Sequence, residues 1–280
     1  MDIAGQAAKA EQLRKLHHGP RILILPNAWD VISARVVEDA GFPSIATSSA
    51  AVAAVLGYPD GQRVPRDEML EAVARIARAV TVPVTADLEA GYATTPSEIA
   101  DFARAVIATG AVGLNLEDVT GEDEGSHVEL ALQCEKISAV RNASASAGVP
   151  LVINARTDVY LLPIGPEKTR FERTVERLRA YHKAGADCVF APGVRDAETI
   201  GKLVRAIDAP LNILLQPGGV PLKGLEKLGV ARASAGSGPH RAALTRLKEI
   251  AISLREYGDH TPILENLITW SDVNQLLSEK

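Results

Sequence analysis

Cysteine is scarce in this 280-residue chain: Cys134 and Cys188 are the two it has. They can build neither a disulfide framework nor a cysteine-based zinc site. An excess of basic charge is also missing. Lys and Arg total 30 against 35 Asp and Glu, for a formal net charge of -5, which argues against a nucleic-acid-binding footprint. No apolar run approaches the roughly eighteen residues of a membrane span. The opening stretch MDIAGQAAKAEQLRKLHHG has no apolar signal core. These absences lead us to expect a cytoplasmic protein of a reducing compartment, with neither nucleic acid nor membrane as partner. What remains is ordinary globular material, 46% hydrophobic and 23% charged, long enough to bury a large core without staples.

Short apolar runs alternate with amphipathic stretches along the chain. The runs are RILILP (21–26), SIAT (44–47), VPVTAD (82–87), VGLNLE (112–117), LVINAR (151–156), DCVF (187–190), LNILL (211–215) and ARAS (231–234). Most are rich in Val, Ile and Leu, as strands buried on both faces are. Between them, 67–80, 97–109 and 168–184 repeat apolar residues every three or four positions, one buried helix face each. Gly41, Gly110, Gly148, Gly185 and Gly229 each stand between a helix and the next strand, where a helix C-cap is needed. Thr95-Pro96 reads as a helix start. Eight strand–helix units predict an α/β fold, a (β/α)8 TIM barrel over residues 1–258. Residues 259–280 form an apolar helical tail, packed on the barrel or exchanged with a neighbouring subunit. An open doubly wound sheet is the alternative, but Pro26-Asn27-Ala28-Trp29-Asp30 after the first strand carries no Gly-rich dinucleotide fingerprint.

In a barrel, the chemistry sits at the C-terminal ends of the strands. Asp87 and Glu89 are two apart, so in extended backbone they point to the same side, and Glu117 ends the adjacent strand. Three carboxylates converging at one mouth repel one another unless a cation is present, and hard oxygen ligands suit Mg²⁺ or Mn²⁺. A solvated acidic rim, with Arg156 as its ion-pair partner, is the plainer alternative. Arg156 ends the fifth strand, and its guanidinium fork suits a substrate carboxylate. Thr47, Ser48 and Ser49 offer hydroxyls and closely spaced N–H groups for an anionic oxygen. No predicted strand ends in Lys, which counts against Schiff-base chemistry. His17, His18, His182 and His260 lie away from the mouth and read as surface residues. Trp29 and Tyr58 follow the first two strands as candidate pocket walls.

These pieces together resemble the isocitrate lyase/phosphoenolpyruvate mutase superfamily, in particular its small phosphonomutase-like members. The resemblance rests on TSSAAVAAVLGYPD (47–60), VPVTADLEAGY (82–92), LNLEDVTG (114–121), NARTD (154–158), GADCVF (185–190) and PLNILLQPGG (210–219). It implies a barrel in which Mg²⁺ binds an α-oxo carboxylate, with Asp87 as direct ligand and Glu89 and Glu117 acting largely through water. It implies that Thr47, Ser48 and Ser49 hold the substrate carboxylate, and it brings Asp60, Arg156 and Asn212 to the site. The chemistry implied is cleavage or formation of a C–C or P–C bond next to the oxo group, through an enolate-like fragment. The family commonly forms tetramers with exchanged C-terminal helices, which implies a homo-oligomer here, tetramer or dimer.

The chain departs from that pattern after the fourth strand. Cleaving lyases of the family carry K-x-C-G-H there, with Cys as general acid; this loop reads VTGEDEGSHVEL (119–130), with neither Cys nor Lys. The Lys- and Asn-bearing loop of the mutases is missing too. After the sixth strand, Phe190-Ala191-Pro192 stands where lyases place a Glu. These departures count against isocitrate cleavage, methylisocitrate cleavage and phosphonopyruvate mutation. They leave His127 as the loop's candidate proton donor, with a solvated surface His as its alternative reading. Two other functions stay open. One is a 2-oxo-acid-binding or sensory protein that has lost catalysis. The other is a phosphate-ester barrel enzyme using Ala235-Gly236-Ser237-Gly238.

Overall fold

The computed structural model describes residues 2–119, 127–162 and 164–278. Glu122, Asp123, Glu124 and Ser126 of the divergent loop lie outside the described residues. Nine parallel strands follow the predicted apolar runs: β1 (Leu23–Leu25), β2 (Asn27–Ala28), β3 (Ile45–Thr47), β4 (Val84–Asp87), β5 (Gly113–Glu117), β6 (Val152–Arg156), β7 (Cys188–Phe190), β8 (Leu211–Leu214) and β9 (Arg232–Ser234). The ninth strand arises because Pro26 splits the first run. Proline has no N–H for the ladder, so β1 pairs with β9 (Leu25↔Ser234) while β2 pairs with β3 (Ala28↔Thr47). The Pro26 carbonyl still accepts from Ala46 N at 3.1 Å. The two halves of one broken strand therefore join the ends of the sheet, and the architecture is the expected (β/α)8 barrel.

Helices α2 (Val31–Asp39), α3 (Ser49–Leu56), α4 (Arg66–Ala79), α5 (Pro96–Thr109), α6 (Leu130–Ser146), α7 (Arg170–Lys183), α8 (Ala197–Ile207), α9 (Leu222–Leu228) and α10 (Gly238–Tyr257) surround the strands. Their buried faces follow the sequence periodicity: Met69, Val73 and Ile76 on α4, Ile99, Phe102 and Val106 on α5. Thr95 caps α5 as expected, in a capping box with Glu98. Gly110 ends that helix at φ 96°, a left-handed conformation that a side chain would strain.

A helix that the periodicity did not announce, α1 (Ile3–Leu16), closes the bottom of the barrel. Its Gln6 donates to the carbonyls of Ile107 and Ala111, both at 2.9 Å. Leu13 packs so close to Gly113 that a Cβ there would lie 3.0 Å from Leu13 Cδ2 and 2.9 Å from the Val152 carbonyl. His17, expected at the surface, is instead buried against this plug, with Nδ1 bonded to the Leu13 carbonyl at 2.8 Å. Because a carbonyl can only accept, Nδ1 is the donor. Burial pushes His17 down to about 4, so it stays neutral.

Barrel interiors are commonly packed with branched aliphatic side chains. This one is polar on the axis, with buried Thr85, Asn115, Asn154, Asn212, Arg232 and Ser234. At the C-terminus, α11 (Thr261–Leu264) and α12 (Trp270–Ser278) form the predicted helical tail. It folds back on α2, where Arg35 Nε donates to the Leu276 carbonyl at 2.6 Å, yet Trp270 remains 80% exposed. Among the described residues, no helix is long and apolar enough to cross a membrane.

Candidate active site

The ends of β4, β5 and β6 bring Asp87, Glu117 and Arg156 to one mouth. A cavity of about 670 Å³ opens there, lined by Ser48, Ser49, Asp60, Asp87, Asn115 and Arg156 on one side. A smaller lobe of about 230 Å³ continues from it past Glu89, Glu117 and Asp158. Seven of the ten expected site residues thus border the cavity and its lobe: Ser48, Ser49, Asp60, Asp87 and Arg156, with Glu89 and Glu117.

Asp87 is held on both oxygens. Ser49 N and Oγ donate to Oδ2 at 3.0 and 2.9 Å, and Asn115 Nδ2 donates to Oδ1 at 2.9 Å. Asn115 in turn accepts from Asn154 at 2.7 Å. Such a carboxylate keeps one orientation, the requirement for a ligand whose position matters. Glu89 follows immediately in a left-handed backbone conformation, φ 54°, which is costly for a residue with a side chain. One of its carboxylate oxygens accepts from Gln62 N. The other, Oε1, is buried without a hydrogen-bond partner among the described residues.

Crowded carboxylates show their repulsion in their acidity. Burial, then the Asp60 and Asp87 charges, push Glu89 up to about 7. Burial also pushes Glu117 well above the ordinary carboxylate range, against the pull of Arg156. Asp60 reaches solvent at the rim, yet partial burial and neighbouring Asp87 raise it too. Arg156 sits among them as a fork. Nε and Nη2 reach the two oxygens of Asp158 at 2.6 and 2.9 Å, Nη1 reaches Glu117, and the guanidinium lies 5.8 Å over the Phe190 ring. Burial opposes its charge, but Glu117 and Asp158 more than offset this and raise it further.

Among the described residues, no three acidic, His or Cys side chains converge tightly enough to ligate one ion directly. The donor set nevertheless fits a hard cation held partly through water. Asp87 is preorganised, Glu89 keeps a buried carboxylate oxygen unpartnered, and Glu89, Glu117 and Asp60, pushed upward by burial and by neighbouring carboxylates, form a crowd that a cation would relieve.

Three expected residues lie outside the cavity. Thr47 is fully buried, and its Oγ1 accepts from Asp87 N at 2.8 Å; it supports the acid rather than touching a ligand. Ser48 does line the cavity, while its hydroxyl caps α3. Asn212 is fully buried beneath the floor, bonded to Ser234. His127 does not line the cavity; its Nε2 lies 4.0 Å from Asp118. That carboxylate is buried and already serves Thr157, the Asp158 amide, Arg177 and Tyr181. Burial lowers His127, against the attraction of Asp118. Trp29 packs on His240, with ring centroids 5.0 Å apart, and does not wall the cavity.

Other residues emerge only in three dimensions. The far wall of the cavity carries Arg195, Gln216, Arg241 and Thr245 beside the start of α10. Behind the acids, α6 supplies two buried side chains one turn apart. Gln133 Nε2 donates to the Glu117 carbonyl and Lys136 Nζ to the Ala90 carbonyl, both at 3.0 Å. Polar residues on the buried face of a helix were the one sequence signal for this pair.

The profile of the phosphoenolpyruvate phosphomutase family matches residues 13–255. An uncharacterised protein of Mycobacterium tuberculosis is 37% identical over 82% of this chain and 83% of its own. Oxaloacetate decarboxylase 2 of Pseudomonas fluorescens is 30% identical over 86% of this chain and 82% of its own. Among solved structures, a lyase/mutase from Burkholderia cenocepacia superposes with a TM-score of 0.91 at 36% identity, covering 98% of both chains.

Proposed function

The chain belongs to the phosphoenolpyruvate phosphomutase family, within the isocitrate lyase/phosphoenolpyruvate mutase superfamily, and from that premise we propose that it is a Mg²⁺-dependent carbon–carbon lyase acting on a small α-oxo carboxylate. The substrate class we favour is a 2-oxo diacid of the oxaloacetate kind, and the reaction is loss of the distal carboxylate as carbon dioxide. The observation that carries the reading is the pairing of a preorganised, electron-rich acid group, Asp87 with Glu89 and Glu117, with the fixed Arg156 guanidinium at one mouth. The name of the Pseudomonas relative points the same way.

Asp87, Glu89 and Glu117 would hold the cation, the latter two largely through water. When bound, it supplies Lewis-acid polarisation of the oxo group and its neighbouring carboxylate. The chain does the rest. Ser49 and Asn115 keep Asp87 from turning. Ser48, whose hydroxyl oxygen caps α3, keeps its O–H for the substrate carboxylate. Arg156, fixed by Asp158 and Glu117, presents positive charge to the oxygen on which charge develops during bond breaking. Arg195 and Arg241 across the cavity suit a second anionic group.

The same account extends to assembly. We read the exposed apolar residues of the tail, Leu264, Leu267, Ile268 and Trp270, as the contact of a homo-oligomer.

The test is incubation with Mg²⁺, and separately with EDTA, across oxaloacetate, other 2-oxo diacids, isocitrate, 2-methylisocitrate and phosphonopyruvate. Products are followed by NMR against protein-free controls. Mg²⁺-dependent pyruvate and carbon dioxide from oxaloacetate are expected. A second reading, binding without catalysis, draws on His127 not being among the residues that line the cavity. It takes the lead if 2-oxo acids bind and no candidate is turned over.

A further inference from the structure

Breaking a bond next to an oxo group leaves an enolate-like fragment that needs a proton. His127 is not among the residues that line the cavity, and the loop after β5 has no Cys to supply one. The opposite side of the barrel holds an arrangement that no part of the reading above uses.

Ser234 ends β9 on the wall of the cavity. Two residues earlier on the same strand, Arg232 is 1% exposed, inside the barrel. Its Nε donates to Ser234 Oγ at 3.1 Å, and its Nη1 has no hydrogen-bond partner among the described residues. Burial pushes the guanidinium down to about 10, and only weaker attraction from Cys188 and Asp87 opposes this. A buried cation without a bonded carboxylate is costly to keep, so its position calls for an explanation.

The same Ser234 oxygen faces Asn212 Nδ2 at 3.0 Å. Both lone pairs of the hydroxyl oxygen are therefore met by fixed N–H donors. The hydroxyl hydrogen then has two directions open to it, the Asn212 Oδ1 at 3.2 Å or the cavity. An anion forming on Ser234 Oγ would find a guanidinium and an amide already aimed at it in a water-poor interior. That is electrostatic preorganisation, which needs no rearrangement at the moment of reaction. It also explains the arginine: its counter-charge appears during turnover.

We propose that Ser234 is the proton donor of the reaction, and that Arg232 is the positioning residue that stabilises the alkoxide it leaves. The proposal rests on the oxo-acid lyase reading. In the step, the Ser234 O–H bond breaks and its proton forms a C–H bond at the enolate carbon. The electron pair of the broken bond stays on Oγ, facing Arg232 Nε–H and Asn212 Nδ2–H. Water then returns a proton to Oγ and leaves as hydroxide, so the cycle consumes one proton from solvent.

Run backwards, the same step removes a methyl proton from the oxo-acid product. Pyruvate with Mg²⁺ and the full-length protein in D₂O should therefore exchange its methyl protons, followed by ¹H NMR. In Ser234→Ala, exchange and turnover should fall about 100-fold or more, as loss of a general acid does. Affinity for oxalate, a planar mimic of the enolate, should stay within a few-fold by calorimetry. Ser234→Cys, which keeps an acidic proton, should recover part of the exchange. Arg232→Met should lose exchange while retaining oxalate binding and thermal stability. Wild-type exchange in Ser234→Ala overturns the proposal, and so does joint loss of exchange and oxalate binding in both Ser234 variants. If the wild-type protein neither exchanges pyruvate nor turns over any oxo acid, the lyase reading itself fails and takes this proposal with it.

Discussion

Replacing Glu89 by Gln should stabilise the metal-free protein at alkaline pH. In the fold, Glu89 takes its proton at about 7 instead of its ordinary 4.5, because it is buried beside Asp60 and Asp87. For an acid whose pKa is raised on folding, the folded state holds the proton more tightly than the unfolded chain. The destabilisation is therefore absent below about 4.5, grows as pH rises, and is complete above about 7. That difference is worth up to about 3 kcal/mol at 1.4 kcal/mol per factor of ten. Gln is nearly isosteric and keeps an acceptor for Gln62 N, so the substitution removes the charge with little change in packing. In EDTA at pH 8, the variant should melt roughly 5–10 °C above wild type for a domain of this size. At pH 5 the two should nearly coincide. Adding Mg²⁺ should raise wild type more than Glu89→Gln, since the cation also relieves the repulsion that the variant lacks while Asp87 still binds it in both. Calorimetry or dye-monitored melting across pH 5–9 reads all of this. A variant less stable than wild type at pH 8 would refute the reasoning that the acids are strained for want of a cation.

Two further outcomes follow from the surroundings of the site. Lys136→Met cuts the bond that holds the Ala90 carbonyl just after Glu89. The Mg²⁺ or Mn²⁺ dissociation constant should rise about tenfold, as it does when outer partners of a metal site are lost, while Tm changes little because a buried charge has been removed as well. Arg241→Ala removes a cation from the far wall of the cavity. KM for oxaloacetate should rise roughly tenfold, about 1.4 kcal/mol, with pyruvate binding unaffected; equal effects on both acids would place Arg241 outside the distal subsite.

The barrel was legible because its strands are short, mostly rich in Val, Ile and Leu, and separated by helices that end at glycine, so each of the eight apolar runs became β-structure. The break at Pro26 was not foreseen, although its cause, a missing N–H, was in the sequence. Helix α1 escaped because its buried residues are few, Gln6, Ala10 and Leu13, and no clear apolar stripe marks it. The burial of His17 followed from that omission. At the site, Asp87 and Arg156 could be placed because strand ends identify themselves. Thr47 and Asn212 could not, because sequence spacing does not say whether a polar side chain at a strand end faces the ligand or a neighbouring side chain. Both instead hold residues that do line the cavity, Asp87 and Ser234. Ser234 and Arg232 went unread for a related reason: ARAS looked like an ordinary strand, and its chemistry appears only when β8 and β9 are set side by side.

The central claim is that Asp87 organises a cation-dependent reaction on an oxo acid. Its most direct test is oxaloacetate decarboxylation by wild type and by Asp87→Ala at equal Mg²⁺, each corrected for the rate without protein. The account predicts catalysis by wild type that EDTA abolishes and that Asp87→Ala lacks, with the variant still folded by circular dichroism. Decarboxylation at the wild-type rate by Asp87→Ala would contradict it.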